Sequence, residues 1–180
     1  MTSFIIIMKK RPTTAGHCII AIYSEDKKGL LGQVLIVFNK LNYEVNSLNV
    51  SRTDISDVVL ITIEALVPEA RQAGLLQKIE KIVEVYRASA YQPGEMGLEK
   101  VGFFRLSKQI FSASFWSLVQ KYGAVVSSIG EDALVLRKFG SDRNLQEFYG
   151  QLDGPHLLGF CKSGLIAEES LSAVDQFGGG

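Results

Sequence analysis

One order of elements, met twice along the chain, constrains the fold more than any other feature. His17 to Tyr23 is a short, nearly continuous apolar run, as a central strand requires. From Gly29 to Leu41, residues Leu30, Leu31, Val34, Leu35, Phe38 and Leu41 recur at helical spacing, and Asn42 marks a stop. Tyr43 to Thr53 reads as a strand carrying Val45, Leu48 and Val50, and Asp54 to Asp57 as a turn. In Val58 to Val67, Val59, Ile61, Ile63 and Ala65 alternate with Leu60, Thr62 and Glu64, which predicts one apolar sheet face. Pro68 opens a helix with a stripe of Leu75, Leu76, Ile79, Ile82 and Val83, and Val83 to Tyr91 returns as a strand. The order is β-α-β-β-α-β.

Gln92-Pro93-Gly94-Glu95-Met96-Gly97 is rich in chain breakers and reads as a linker. Beyond it the order repeats. Leu98 to Leu106 is a strand, and Phe111, Phe115, Leu118, Val119 and Tyr122 mark one helix face. Ala124 to Ile129 and Ala133 to Phe139 are strands joined by a Gly130-Glu131-Asp132 turn. Ser141 caps a helix carrying Leu145, Phe148, Tyr149 and Leu152, Gly154-Pro155 breaks it, and His156 to Lys162 is the last strand. The repeat is one of architecture, without residue identity between the halves. Two right-handed crossovers per half give a four-stranded antiparallel sheet with both helices on one face. The predicted class is α+β: two ferredoxin-like βαββαβ domains in tandem, at 16–92 and 98–167. Residues 1–15 are expected to form a flexible arm and 168–180 a tail ending in Gly-Gly-Gly. The bare face of such a sheet needs a cover, and a second subunit is one source of it.

Composition narrows the function classes. Nineteen basic residues balance nineteen acidic ones, so no excess of positive charge points to nucleic acid or an anionic membrane. Cys18 and Cys161 both lie in apolar runs and are expected to be buried and reduced, as in a cytoplasmic protein. Phe4 to Met8 is too short to span a membrane, and Lys9, Lys10 and Arg11 follow it, the reverse of a signal peptide.

The chain shows no catalytic constellation. No nucleophile elbow, H-E-x-x-H helix or Walker loop occurs. His17 and Cys18 are neighbours on a strand and point to opposite faces, as do His156 and Cys161, so neither pair can chelate one metal. The acid pairs Glu25/Asp26, Glu131/Asp132 and Glu168/Glu169 fall in turns or the tail. An RNA-binding sheet needs exposed aromatics on its central strands. Lys100-Val101-Gly102-Phe103-Phe104-Arg105 is the nearest candidate, without a matching aromatic-rich third strand.

One stretch does carry a binding chemistry. From Tyr23 to Gly32 a strand feeds through Ser24-Glu25-Asp26-Lys27-Lys28-Gly29 into a helix. Amide donors and the positive end of a helix dipole then meet in one small space, a receiver for a carboxylate or phosphate. For an amino acid, Gly29 and Leu30 would hold the carboxylate, and Asp26 or Glu44 would accept from the ammonium. The plainer alternative makes Gly29 a turn glycine and Asp26 a helix cap.

These residues resemble a family. The β-α-β-β-α-β order with Asp26-x-x-Gly29-x-Leu31 resembles the ACT domain, a regulatory module that binds amino acids. Gly29-Leu30-Leu31, Val34, Phe38 and Asn42-Tyr43-Glu44-Val45-Asn46-Ser47-Leu48-Asn49-Val50 are similar to the small regulatory subunit of acetolactate synthase. Glu99 to Ser107 and Phe160-Cys161-Lys162-Ser163-Gly164-Leu165-Ile166-Ala167 extend the resemblance to roughly residues 17–170. It implies a non-catalytic chain whose first half is an ACT domain. Such a chain dimerises through that domain, activates a large catalytic subunit, and confers feedback by valine or a related branched-chain amino acid. No cofactor is implied in this chain; the large subunit is expected to carry thiamine diphosphate, Mg and FAD. The implied effector site takes Asp26, Lys28, Gly29, Leu30 and Leu31 from one chain, and Glu44 and Val45 from the other.

The resemblance breaks where the effector should bind. Asp26 and Glu44 stand where the family commonly has Asn, Lys28 where it has Pro or Ser, and Lys162 where it has Arg; Ser170 stands near another expected Arg. An amide can donate to a carboxylate, and an ionised acid cannot. The substitutions predict that valine feedback is weak, absent or moved to another ligand. The alternative function is a free-standing ACT-type sensor acting on another enzyme or a transporter.

Overall fold

The structure is a computed structural model and describes residues 16–93 and 98–167. The expected arm at 1–15, part of the linker, the tail with Glu168 and Glu169, and Ser170 lie outside the described residues. The first half runs β1 (His17–Glu25), α1 (Leu30–Lys40), β2 (Glu44–Arg52), β3 (Val58–Leu66), α2 (Glu69–Ile79) and β4 (Val85–Tyr91). The second runs β5 (Leu98–Ser107), a 3-10 turn at Lys108–Ile110, α3 (Ala113–Lys121), β6 (Val125–Ile129), β7 (Ala133–Gly140), α4 (Asp142–Leu152) and β8 (Leu157–Lys162), followed by a short β9 (Ile166–Ala167). The sheets have strand orders β2-β3-β1-β4 and β6-β7-β5-β8, and β9 adds to β5. All pairs are antiparallel. The class is α+β, two ferredoxin-like units in tandem.

Register explains each core. Ile20 and Ile22 pair with Ile63 and Ile61, so these side chains share the helix-covered face with Leu30, Val34, Phe38, Leu75 and Ile79. In the second half, Phe104 and Leu106 pair with Leu136 and Leu134 and pack on Phe115, Phe148 and Leu152. Phe104 meets Phe148 edge-on with ring centroids 4.9 Å apart, a favourable aromatic geometry. The caps of the second half are side-chain caps: the Ser112 and Ser141 hydroxyls accept from the Phe115 and Asn144 amides.

Several expectations are corrected. α2 ends at Ile79, so Ile82 and Val83 are not part of its stripe, and Val83 is 92% exposed. Phe111 precedes α3 rather than sitting on it, and is partly exposed. Cys18 is buried but Cys161 is exposed, because β8 turns that residue to the open side of its sheet.

The largest correction concerns the far face of the first sheet. β3 is buried on both sides: Leu60, Thr62 and Glu64 are covered like their neighbours. Cover comes from this chain's own second half. Leu165 packs with Ile19, Ala21, Tyr23, Val58 and Leu60. A Cβ on Gly164 would stand 3.3 Å from the Asn49 Cβ, so the closing segment lies directly on β2. Lys100, also buried, donates to Glu64 at 2.9 Å. Among the described residues, the face left open is that of the second sheet. Phe103 and Phe139 lie there with Arg105 and Arg137, and the guanidinium of Arg137 sits 5.5 Å from the Phe139 ring centre.

Candidate functional site

The loop after β1 forms as a sequence of backbone constraints. Asp26 N–H donates to the Asp57 carbonyl at 2.7 Å, tying the loop to the start of β3. Lys27 N–H donates to Glu25 and Leu30 N–H to Lys27, which closes the turn. Gly29 caps α1 with φ of 85°, in the left-handed region that glycine enters without penalty. Its carbonyl accepts from Gln33, and no side chain caps this helix. Asp26 is therefore not the N-cap; its carboxylate stands 3.9 Å from Arg52 Nε at the end of β2.

The predicted effector residues separate into three groups. Asp26, Lys28 and Gly29 are exposed together on the loop. Leu30 is buried in the core, and its amide is already committed to Lys27, so it offers neither side chain nor N–H to a ligand. Leu31 is half-buried against the same core, and the helix start leaves its N–H, with that of Gly32, outside the intrahelical ladder. Beside them, the Lys27 ammonium lies 3.3 Å from the Glu84 carboxylate. The Glu84 carboxyl is drawn below its ordinary pKa by its own backbone N–H first and by the Lys27 hydrogen bond next.

Glu44 and Val45 belong elsewhere in the chain's own sheet. Glu44 pairs with Leu66, and Leu66 pairs with His17, so Glu44 lies level with the start of β1. Asp26 follows the opposite end of the same strand. Eight residues of extended chain separate the two levels, about 26 Å at 3.3 Å per residue. One chain therefore does not bring Asp26 and Glu44 together. Glu44 is exposed, while Val45 leans on the core. A shallow cavity of about 220 Å³ opens at the Glu44 end, lined by Gly16, Pro68, Glu69, Gln72 and Gln92, away from the Asp26 loop.

Sequence reasoning missed the polar cluster under the first sheet. Glu64 Oε1 is 2.9 Å from Lys100 Nζ and 3.8 Å from His17 Nε2, and its other oxygen accepts from the Ser47 hydroxyl. Lys100 also reaches Asp142 Oδ1 at 2.9 Å, which Lys162 approaches to 2.6 Å. Burial pushes the Asp142 carboxyl up, but hydrogen bonds from Lys162 and Lys100 outweigh it and hold the pKa below the ordinary aspartate value. The signal available in the sequence was Glu64, the charged residue of an apolar strand interrupted otherwise by Thr62. Among the described residues no group of three or more His, Cys, Asp or Glu is placed to hold a metal. No helix among them is long and apolar enough to cross a membrane.

Comparison with known proteins adds one strong structural likeness. No family model and no curated protein sequence matches the chain. Among solved structures, the acetolactate synthase small subunit from Thermotoga maritima matches with a TM-score of 0.76 at 12% identity, over 84% of this chain and 95% of that one. The ligand-free regulatory subunit of aspartate kinase from Thermus thermophilus matches at 13% identity over 78% and 95% of the two chains. Its TM-score of 0.43 is too low to carry an argument. This chain thus shares its two-part fold, along most of its length, with the small subunit of acetolactate synthase.

Proposed function

We propose that this protein is a non-catalytic regulatory subunit of the acetolactate synthase type. It would bind and activate a large catalytic subunit that carries thiamine diphosphate, Mg and FAD. The observation that carries the reading is the likeness to the acetolactate synthase small subunit through both halves of the chain, not through one ferredoxin-like unit alone. That fold is common and hosts many functions, so the tandem arrangement is what gives the likeness weight. The absence of a nucleophile, metal or acid–base motif from the sequence is compatible with it.

In this reading the effector site is made by two chains. The Asp26–Gly29 loop supplies one side, and Glu44 of a second copy the other, because one chain holds these residues at opposite ends of its sheet. The uncovered face of the second sheet offers further surface for a second chain. Two acids replace amides where the effector's carboxylate would lie. At about 4 Å, two like charges repel by roughly 1 kcal/mol in water and about 4 kcal/mol at an intermediate dielectric. Valine feedback is therefore expected to be weak, absent or transferred to another ligand.

Co-purification with the large subunit encoded in the same genome tests the assignment. A stable complex supports it. If the chain instead captures a different enzyme or a transporter and ignores the large subunit, the sensor alternative replaces it. Calorimetry with valine, leucine and isoleucine tests the site. Tight valine binding that is lost in Asp26→Ala contradicts the charge argument.

A further inference from the structure

The first half's second strand and the second half's core are joined by a continuous chain of polar contacts. The Ser47 hydroxyl, on β2, donates to Glu64 on β3. Glu64 accepts from Lys100 on β5, and Lys100 donates onward to Asp142, the first residue of α4. Glu64 and Lys100 side chains are only 7% and 5% exposed. The outer end is open: Asp142 is 56% exposed and is shared with Lys162 of β8. Two carboxylates and two ammonium groups thus balance one another across the junction of the halves.

A buried ion pair is a poor device for stability, since apolar residues of the same volume serve as well or better. An unpaired member is costly, so placements of the halves that separate the pair are disfavoured. The polar contacts run from an edge strand of the first sheet to the start of a helix in the second half. Ser47 follows a bulge between Val45 and Ser47, where β2 carries one more residue than its partner strand. The bulge leaves one residue of this edge strand unpaired and bends the strand there. Asp142 begins α4, whose Leu145, Phe148 and Leu152 are buried in the second core. Beside the polar chain, Gly164 lies against Asn49 and Leu48 of the same strand β2.

We propose that Ser47, Glu64, Lys100 and Asp142 form a relay that couples the state of strand β2 in the first half to the placement of α4 and β8 in the second. Glu44 and Val45 open that strand, so the relay starts three and two residues from the effector contacts assigned above; its use by an effector rests on that assignment. An occupied site that shifts β2 would tighten or loosen the Ser47–Glu64 contact. Glu64 would carry the change to Lys100, and the second half would present a different surface to the catalytic partner.

Amide hydrogen exchange in the full chain tests the relay, read separately over Glu44–Arg52 and Leu157–Lys162. Ser47→Ala is expected to speed exchange in Leu157–Lys162 by roughly tenfold, although Ser47 lies in the other half. In a Lys100→Met background the same change should add little there, because the link is already cut. If Lys100→Met does not fold, Asp142→Ala serves, since it removes the acceptor at the exposed end and leaves Lys100 paired with Glu64. An effect of Ser47→Ala confined to the first half, or one that multiplies with the second substitution, overturns the relay. Valine, leucine and isoleucine are then titrated. A bound amino acid should slow exchange in Leu157–Lys162 of the unaltered protein but not of the Lys100→Met variant, with affinity within about threefold. Equal slowing in both overturns the relay. If none of the three binds, the effector assignment fails for them, and the substitutions alone decide the coupling.

Discussion

Lys100 Nζ lies 2.9 Å from Glu64 Oε1, and the two side chains, both nearly sealed from water, come from different halves of the chain. The pair makes the junction of the halves sensitive to the loss of either charge. Lys100→Met alone is expected to destabilise by about 3–5 kcal/mol, the usual cost of removing the partner of a buried charge, and Glu64→Leu by less, because Lys100 keeps Asp142 at 2.9 Å. The double change Glu64→Leu with Lys100→Met should lose far less than the sum. Urea unfolding of the four proteins checks this; additive losses contradict it.

Gly29 and Gly32 make an internal comparison. Neither would bring an added Cβ within 4 Å of another group, yet Gly29 sits at φ of 85° and Gly32 within α1. Gly29→Ala should destabilise by about 1 kcal/mol through backbone strain alone. Gly32→Ala should stabilise by about 0.4–1 kcal/mol by restricting the unfolded chain. Equal effects of the same sign would show that the loop does not hold Gly29 in its left-handed conformation.

The two thiols should react very differently. Cys18 is fully buried, and burial pushes its pKa up to about 11 against a smaller opposing effect of the Val67 backbone. Cys161 is exposed. A disulfide reagent at neutral pH should therefore titrate one thiol rapidly in the native protein and two in denaturant. Rapid native modification of both, or of Cys18 alone in a Cys161→Ser variant, contradicts the placement.

Most of the fold was legible in the sequence because its cues are local. The periods of Leu30 to Phe38 and of Leu145 to Leu152 fix helices, and Ser141 marks a start that the structure realises as a side-chain cap. Overreach came where an apolar residue continued a period past the end of its element, as at Val83. The burial of Glu64 was not legible. Its partner is Lys100, thirty-six residues away in the other half of the chain, which leaves no local pattern. The site was legible only in part. The turn at Gly29 follows from its neighbours, but that Leu30 faces the core follows from α1's orientation on the sheet. That Glu44 lies at the far end follows from strand register.

Acid should open the outer end of the charged cluster. The Asp142 pKa is lowered in the folded chain by Lys162 and Lys100, against burial. Such a group contributes stability that is fully present above the unfolded aspartate value of about 3.9 and is lost as pH falls through the lower folded value. Between pH 5 and pH 2 the unaltered protein should therefore lose more stability than Asp142→Asn. Parallel pH profiles of the urea midpoint would show that Asp142 is not held by the two lysines.

The regulatory assignment is tested most directly by the rate of acetolactate formation from pyruvate. The large catalytic subunit from the same genome is assayed with thiamine diphosphate, Mg and FAD, with and without this chain at equal and excess concentration. The assignment predicts a saturable rise in rate and a complex that elutes as one species. An unchanged rate at every ratio, with the two proteins eluting apart, would contradict it.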